Sequence, residues 1–424
     1  MDGGTRGTAE VRSEFLRQVV RRGLLSQVTD LGALDAVLAG PPARAYIGFD
    51  CTAPSLHAGS LVPITLLRLL QRCGHRPIVV LGGGTSKVGD PSDKDRMRPL
   101  LDDEQIRRNM GGIRRVLERF LDVGDGPTGA LFVDNADWLD TIAYVPFLRD
   151  VGRHFTINRM LAFDSVRRRL EREQPMTFLE FNYMVLQAYD FVELARRHDC
   201  LVQMGGADQW GNIVNGVELV RRLLDRPAHG LTAPLLTSAD GAKMGKTAGG
   251  AVWLDGELLS AYDFWQYWRN VDDADAAPLL RMLTDLPEGE VARLERLSGQ
   301  EVNEAKKALA SELTRLCHGP EAAERAAATA RDTFERGTLG ADLPLIEVPR
   351  ADLEGGLALF ELLRRSGLCA TGGEARRLVA AGGCRLNDVV VLDPLHAVSV
   401  GHLTADGVVK LSAGKKRHTL VRPV

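Results

Sequence analysis

At 424 residues with 45% apolar content, the chain is long enough for two or three domains of about 100–200 residues each. Its formal net charge of −3 excludes a polycation, so any nucleic-acid contact must come from local patches. The six cysteines include no C-x-x-C pair and no run reaches roughly 18 apolar residues, which argues against a zinc site and a membrane span. The thiols read as reduced and partly buried in a cytoplasmic protein. Residues 1–10 are Gly/Thr-rich, with no apolar signal region.

Residues 11–38 read as a peripheral helix, ended by Pro41-Pro42. The organising stretch follows at 46–61, YIGFDCTAPSLHAGSL. It reads as a buried strand over 45–49, a loop holding Asp50 and Thr52, and a helix start. That helix continues as VPITLLRLLQRCG, with leucines at helical spacing and Gly74 as its stop. His57-Ala58-Gly59-Ser60 stands where strand gives way to helix. Unpaired N–H groups at a helix start attract phosphate. Gly59 has no Cβ, so a flat base can lie against its backbone, and His57 can donate to a phosphate oxygen. Alone, the pattern more readily describes a strand–turn–helix with a satisfied histidine.

A second strand spans 77–81. Alternating strands and helices predict a parallel sheet with helices on both faces. Ligands of such sheets bind at the carboxyl ends of the strands, where Gly82-Gly83-Gly84-Thr85 and Asp90 fall. The three glycines read either as a ligand cradle or simply as a loop. The charged stretch SDKDRMRPL (92–100) has the composition of a solvated linker. It precedes an amphipathic helix over 101–121, and a third strand over 131–135 is followed by Trp138. Residues 145–172 are rich in Arg and Phe and read as surface helices.

The helix over 177–195 opens with a capping box, Thr177-x-x-Glu180, and Met176 with Phe181 can form its staple. Tyr183, Gln187 and Asp190 recur at i, i+4 and i+7, three polar groups on one face of an otherwise apolar helix. Such a face lines a pocket or stands wet, and the apolar neighbours on both sides favour the pocket. A strand over 200–204 ends in GGADQWGN, where Asp208 can bond ribose hydroxyls and Gln209 and Gln203 suit a carboxylate or amino group. A helix over 209–224 returns, and 234–236 leads into the glycine-flanked loop GAKMGKT. There Lys243 and Lys246 can bring two ammonium groups onto a pyrophosphate. Residues 262–334 are mostly helical in pattern, and 337–356 read as a linker. From 357 the pattern is helix, turn, helix, glycine turn and strands. Arg364, Arg365, Arg376, Arg377, Arg385, Lys415, Lys416 and Arg417 concentrate positive charge there.

HAGS and KMGKT, in this order and far apart, resemble the HIGH and KMSKS signatures of class I aminoacyl-tRNA synthetases. YxGFDxTAxSLH, QAYDF and GGxDQWGN narrow the resemblance to the bacterial-type tyrosyl-tRNA synthetase family, over residues 11–334. The C-terminal module more loosely resembles a small RNA-binding module shared by a ribosomal protein and many RNA-modifying enzymes. The implied fold is α/β: a Rossmann-like parallel-sheet catalytic domain (1–260) with a dimer-forming insertion at about 140–175. An α-helical anticodon-arm domain (261–336), the linker (337–356) and a small α+β RNA-binding module (357–424) follow. Exposed Phe147, Phe155 and Met160 would suit the dimer interface.

The resemblance also implies the activity. A homodimer activates L-tyrosine with ATP, giving tyrosyl-adenylate and pyrophosphate, then transfers tyrosine to the 3′ end of tRNA(Tyr). ATP is a substrate accompanied by Mg2+; no prosthetic group or protein-held metal is expected. Tyr183 and Gln187 would contact the amino group of tyrosine, and Asp190 with Tyr46 its phenol hydroxyl. Asp90, Gln203 and Gln209 complete the tyrosine site. Gly48, Asp50, His57, Gly59, Ser60, Gly206, Asp208 and Lys246 would contact ATP. Thr52, His57, Ser60, Lys94, Arg98, Lys243, Lys246 and Thr247 would act at the phosphates, Lys94 and Arg98 from a mobile loop. Two departures stand out: Ser60 replaces the second histidine of HIGH, and Gly245 and Thr247 replace the serines of KMSKS. Rival readings are a tryptophan-specific relative, a nucleotidyltransferase acting on a small metabolite, and an inactive synthetase-like RNA-binding protein. Tyr46 with Asp190, the basic module, and the unbroken signature residues speak against these in turn.

Overall fold

The computed structural model describes residues 11–92, 100–247, 250–333, 343–404, 406–414 and 417–424. Strands β1 (Gln27–Val28), β2 (Arg44–Asp50), β3 (Arg76–Gly82), β4 (Leu131–Asp134), β5 (Val202–Gly206) and β6 (His229–Ala233) form one sheet. Its spatial order is β1-β6-β5-β2-β3-β4. The pairs from β6 to β4 are parallel, and β1 is an antiparallel edge. Six of the seven β3 residues are buried, the near-continuous burial expected of a parallel strand covered on both faces. The order reverses at β2, flanked by β5 and β3, and a crevice opens at such a switch point.

Two elements differ from the sequence reading. The single helix expected over 11–38 is two short helices, Glu14–Arg21 and Leu31–Leu38, with β1 between them. Gly23, at φ +71°, turns the chain after the first. β6, HGLTA, carries no strand signal of its own: Thr232 is its only β-branched residue and it shows no alternation. Pairing with β5 from Val202↔His229 to Gly206↔Ala233 makes it a strand, buried at all five positions.

The helix Leu61–Arg72 buries eight residues against the sheet and stops at Gly74, φ +86°. The helix Phe178–His198 carries the expected capping box. Thr177 Oγ1 accepts from the Glu180 N–H at 3.2 Å, and Glu180 Oε2 accepts from the Thr177 N–H at 3.1 Å. The other Glu180 oxygen accepts from Arg169 at 2.7 Å, with both side chains under 5% exposed. This buried pair ties the helix Asp164–Glu171 to the first turn of the helix Phe178–His198. Met176 and Phe181 both pack on the core built from Tyr46, Ile78, Trp138, Met184 and Phe191. The expected exposed trio is corrected: Met160 is 5% exposed, and Phe147 and Phe155 pack against that same core. The exposed large apolar side chains over 140–175 are instead Tyr144, Val145, Leu148, Ile157, Leu161 and Leu170, continued by Phe178 and Leu179.

Packing divides the chain into two compact units. One holds the described residues up to Leu259 with Tyr267–Pro320; the other holds Ser260–Gln266 with Glu321–Val424. In the second unit, a five-stranded sheet runs Val389–Val390, Cys384–Leu386, Val409–Ala413, Arg417–Pro423 and Leu345–Val348. The linker reading is therefore corrected. Residues 337–342 lie outside the described residues, but Leu345–Val348 is a strand parallel to Arg417–Pro423, and Arg350–Glu354 is a helix. Its strand partner lies some seventy positions later, so local composition did not reveal it. The turn in RLNDVV is a two-residue hairpin with Asn387 and Asp388 both at positive φ (46° and 67°), which this residue pair tolerates. Among the described residues no helix is long and apolar enough to cross a membrane.

Candidate active site

At the carboxyl ends of β2, β3 and β5 lies a cleft of about 660 Å³, within the ~300–1,000 Å³ range of small-molecule sites. Tyr46, Tyr183, Gln187, Asp190 and Gln203 all line it. The i, i+4, i+7 face of the Phe178–His198 helix is thus a pocket wall. Asp190 is buried, and burial pushes its carboxyl up to about 8, against the bonds from Asn135 and Trp138. Trp138 Nε1 donates to it at 2.7 Å and Asn135 Nδ2 at 3.0 Å. Asn135 also donates to Thr85 Oγ1 at 2.9 Å; Thr85 donates to Asp50 at 2.7 Å, and the Tyr183 hydroxyl donates to Asp50 at 3.0 Å. Asp50, expected at ATP, therefore also orients Tyr183.

A second network joins Asp90, Gln209, Gln187 and Asn212. Asp90 accepts from Gln209 Nε2 at 2.7 Å and from the Ser92 N–H at 2.8 Å. Asn212 donates to Gln187 Oε1 at 2.9 Å and to Gln209 Oε1 at 3.2 Å. Sequence reasoning assigned no role to Asn135, Trp138, Thr85 or Asn212. Only the GGADQWGN motif carried a signal, for Asn212; the others come together only through strand pairing. Two buried polar atoms on the cleft wall, the Tyr46 hydroxyl and Gln203 Oε1, have no hydrogen-bond partner among the described residues. Buried polar groups are nearly always paired, so these two are open to a ligand's polar atoms.

The other end of the cleft holds Thr52, His57, Gly59, Ser60, Lys243 and Lys246, with Gly48, Asp50, Gly206 and Asp208 along the way. His57 Nδ1 accepts from the Gly59 N–H at 3.1 Å, so Nε2 carries the ring proton and can donate. Space at Gly59 is taken by protein: a Cβ there would lie 2.8 Å from His57 Cε1 and 3.2 Å from the Met244 carbonyl oxygen. Thr247 does not line the cleft; it is exposed, with its hydroxyl bonding the Gly250 carbonyl at 3.3 Å. Lys94 and Arg98 lie outside the described residues. The triple glycine cradles protein groups. A Cβ on Gly82 would strike Asp50, and one on Gly83 would strike Asp134. Their closeness lets Asp134 and Asn135 accept from the Gly83 and Gly84 N–H groups. Among the described residues no group of three or more His, Cys, Asp or Glu side chains could hold a metal.

In the C-terminal unit, Arg364 pairs with Glu361, and Arg365 with Asp352 and Glu361. The Arg376 guanidinium lies 3.8 Å over the Phe360 ring, and Arg377 is exposed. Arg385 is half-buried on Cys384–Leu386, and Arg417 donates to the Leu368 carbonyl at 2.8 Å. Lys415 and Lys416 lie outside the described residues. Exposed ion pairs of this kind contribute little to stability.

A doubly covered parallel sheet, a switch-point cleft, and a histidine turn facing a two-lysine loop define a class I synthetase site. The family model described as "tRNA synthetases class I (W and Y)" matches residues 39–335. The chain is 60% identical over 411 residues to the Tyrosine--tRNA ligase of Rhodospirillum rubrum, covering 97% of this chain and 98% of that one. It is 58% identical to the Tyrosine--tRNA ligase of Xanthobacter autotrophicus, covering 98% and 100%. The crystal structure of a C-terminally truncated Aspergillus nidulans mitochondrial tyrosyl-tRNA synthetase superposes with a TM-score of 0.68 at 29% identity, covering 78% of this chain and 95% of that one. The chain belongs to this class I family and, within it, to the bacterial tyrosine–tRNA ligases.

Proposed function

We propose that the chain activates L-tyrosine with ATP and transfers it to tRNA(Tyr), selecting tyrosine through Asp190 and Tyr46. The supporting observation is the floor of the cleft: a carboxyl held by two donors beside an unpartnered phenol. A substrate phenol can donate into a remaining lone pair of Asp190 and receive the Tyr46 hydroxyl. Phenylalanine would leave both unpaired in a buried site, which is what creates discrimination. Tyr183, Gln187, Asp90, Gln203 and Gln209 take the amino-group side, oriented by Asp50 and Asn212.

In the first step a carboxylate oxygen of tyrosine attacks the α-phosphorus, the bond to the bridging oxygen breaks, and pyrophosphate leaves. In the second, the terminal ribose hydroxyl of the tRNA attacks the acyl carbon and AMP leaves. Neither step needs a covalent enzyme nucleophile; positioning and charge stabilisation suffice for phosphoryl transfer. Gly48, Gly59, Gly206 and Asp208 lie along ATP. Thr52, His57 Nε2, Ser60, Lys243 and Lys246 take the phosphates, joined by Lys94 and Arg98. Mg2+ enters with ATP as part of that substrate. Thr247 keeps at most a supporting role, since its hydroxyl bonds the hairpin backbone. The exposed apolar patch over 144–179 supports a homodimer; the helices of 261–336 and the basic residues of 357–424 take the tRNA. A cytoplasmic location accords with charging tRNA.

The test is ATP–pyrophosphate exchange with each of the twenty amino acids offered separately. Exchange with tyrosine alone is expected. Exchange with tryptophan instead would overturn the roles of Tyr46 and Asp190, and exchange with none would overturn the adenylate chemistry.

A further inference from the structure

The chain leaves β2 and reaches His57 through residues 51–56, which carry no regular secondary structure. Thr52 lies in this stretch and lines the cleft. Backbone polar groups outside helices and strands need partners of their own. Two side chains supply them at Cys51, the residue before Thr52. The Cys51 N–H donates to Ser86 Oγ at 2.6 Å, and Asn109 Nδ2 donates to the Cys51 carbonyl oxygen at 2.8 Å. Cys51, Ser86 and Asn109 are each no more than 3% exposed. Asn109 stands on the helix Asp103–Leu117, and its Oδ1 accepts from Gln105 Nε2, one turn earlier, at 2.8 Å. That bond leaves the NH2 group facing Cys51. Gly112 and Ile113 share the helix face of Asn109, at i+3 and i+4. A Cβ on Gly112 would strike the Pro54 carbonyl oxygen, and Ile113 lines the cleft. The helix therefore lies against the loop along a full turn, and a glycine permits the approach.

We propose that Asn109, aided by Ser86, is a positioning residue that places the Thr52 hydroxyl for the phosphates of ATP. The inference rests on the role given to Thr52 under the proposed function. The peptide between Cys51 and Thr52 is planar, so holding the Cys51 carbonyl also fixes the Thr52 nitrogen and α-carbon. Threonine is β-branched and stiff at χ1, so its hydroxyl inherits that placement. Ser86 holds the other side of Cys51. It belongs to the turn Thr85–Lys87, whose Thr85 donates to Asp50 at 2.7 Å. The backbone is thus gripped on both sides of one residue, immediately before the group that meets the phosphates. A reacting group misplaced by a fraction of an ångström loses contact in the transition state, so this grip acts on rate. At the other end of the cleft, Asp190 is held by Trp138 and Asn135, with no bond to Asn109.

The test is a double-mutant cycle on the full chain, built from Asn109→Ala, Thr52→Ala and the pair together. Two readouts are followed: single-turnover tyrosyl-adenylate formation and tyrosine Kd. Loss of one such hydrogen bond predicts adenylate formation slowed roughly 3- to 10-fold in Asn109→Ala, with tyrosine Kd within about twofold. Once the Thr52 hydroxyl is gone there is nothing left to place. Adding Asn109→Ala to Thr52→Ala should therefore change the rate by less than about twofold. A purely structural role would give the same loss in both backgrounds. Ser86→Ala removes the grip from the other side and repeats the cycle should Asn109→Ala fail to fold. An unchanged rate, a loss of equal size with and without the Thr52 hydroxyl, or an equal loss in tyrosine Kd overturns the proposal. Absence of tyrosine-dependent adenylate formation in the wild-type protein overturns the underlying function and this role with it. Wild-type activity with additive variants overturns the positioning role alone.

Discussion

Asp190→Asn is the most exacting perturbation of the tyrosine pocket. The aspartate accepts from Trp138 at 2.7 Å and from Asn135 at 3.0 Å, and in the proposed complex from the substrate phenol as well. An asparagine of the same shape offers a single acceptor oxygen and a new NH2 group. With three donors converging, the NH2 must face at least one of them. An unsatisfied buried donor costs about 1–3 kcal/mol, equivalent to roughly a 5- to 150-fold loss in kcat/KM for tyrosine. Phenylalanine brings no phenol and forfeits nothing further, so the selectivity ratio should shrink by about that factor. The assay is pyrophosphate exchange with both amino acids at about pH 9, where a carboxyl raised to about 8 is ionised and accepts at both oxygens, alongside tyrosine binding at equilibrium. Equal losses for tyrosine and phenylalanine, or an unaltered tyrosine value, would refute the reasoning. Stability supplies a second check. Burial raises the folded-state pKa of Asp190 to about 8 from 3.8. The stabilisation from holding that proton is complete below about pH 4 and is lost as pH rises through about 8. The wild-type melting temperature should therefore fall relative to that of the variant between pH 5 and pH 9; a constant offset would mean that Asp190 is not the titrating group.

Three further outcomes are expected. Lys246→Ala should slow adenylate formation far more than it weakens tyrosine binding, since a cation engaged only as charge develops acts on rate; stopped-flow rates set against tyrosine Kd decide this. Arg169→Ala leaves Glu180 buried without its partner and should cost about 3–5 kcal/mol, seen as an earlier urea transition. Adding Glu180→Gln should recover part of that loss, and no recovery would sink the account. Ile157→Glu places a charge in the exposed apolar patch of the insertion; light scattering should report a dimer for the wild-type protein and monomer for the variant.

Periodicity and local chemistry made much of this molecule legible. The capping box at Thr177, the pocket-lining face of Tyr183, Gln187 and Asp190, and the helix stop at Gly74 all depend on residues within one or two turns of one another, and all appear where expected. The two signature stretches named their family because their residue types stand in a fixed order along the chain. Other features rest on partners far apart in sequence. β6 and the strand Leu345–Val348 exist because distant strands satisfy their backbone groups. Asp190 is oriented by Trp138 and Asn135, more than fifty positions earlier. The triple glycine serves close packing against Asp50 and Asp134, and Met160 turns inward while Ile157 stays exposed. A sequence thus states on its own which side chains a helix puts on one face and which turns it permits, because those follow from backbone geometry at short range. Which carboxyl is desolvated, which donor meets it, and which apolar face is left uncovered are decided only when the sheet closes, because burial and hydrogen bonding are properties of neighbours in space.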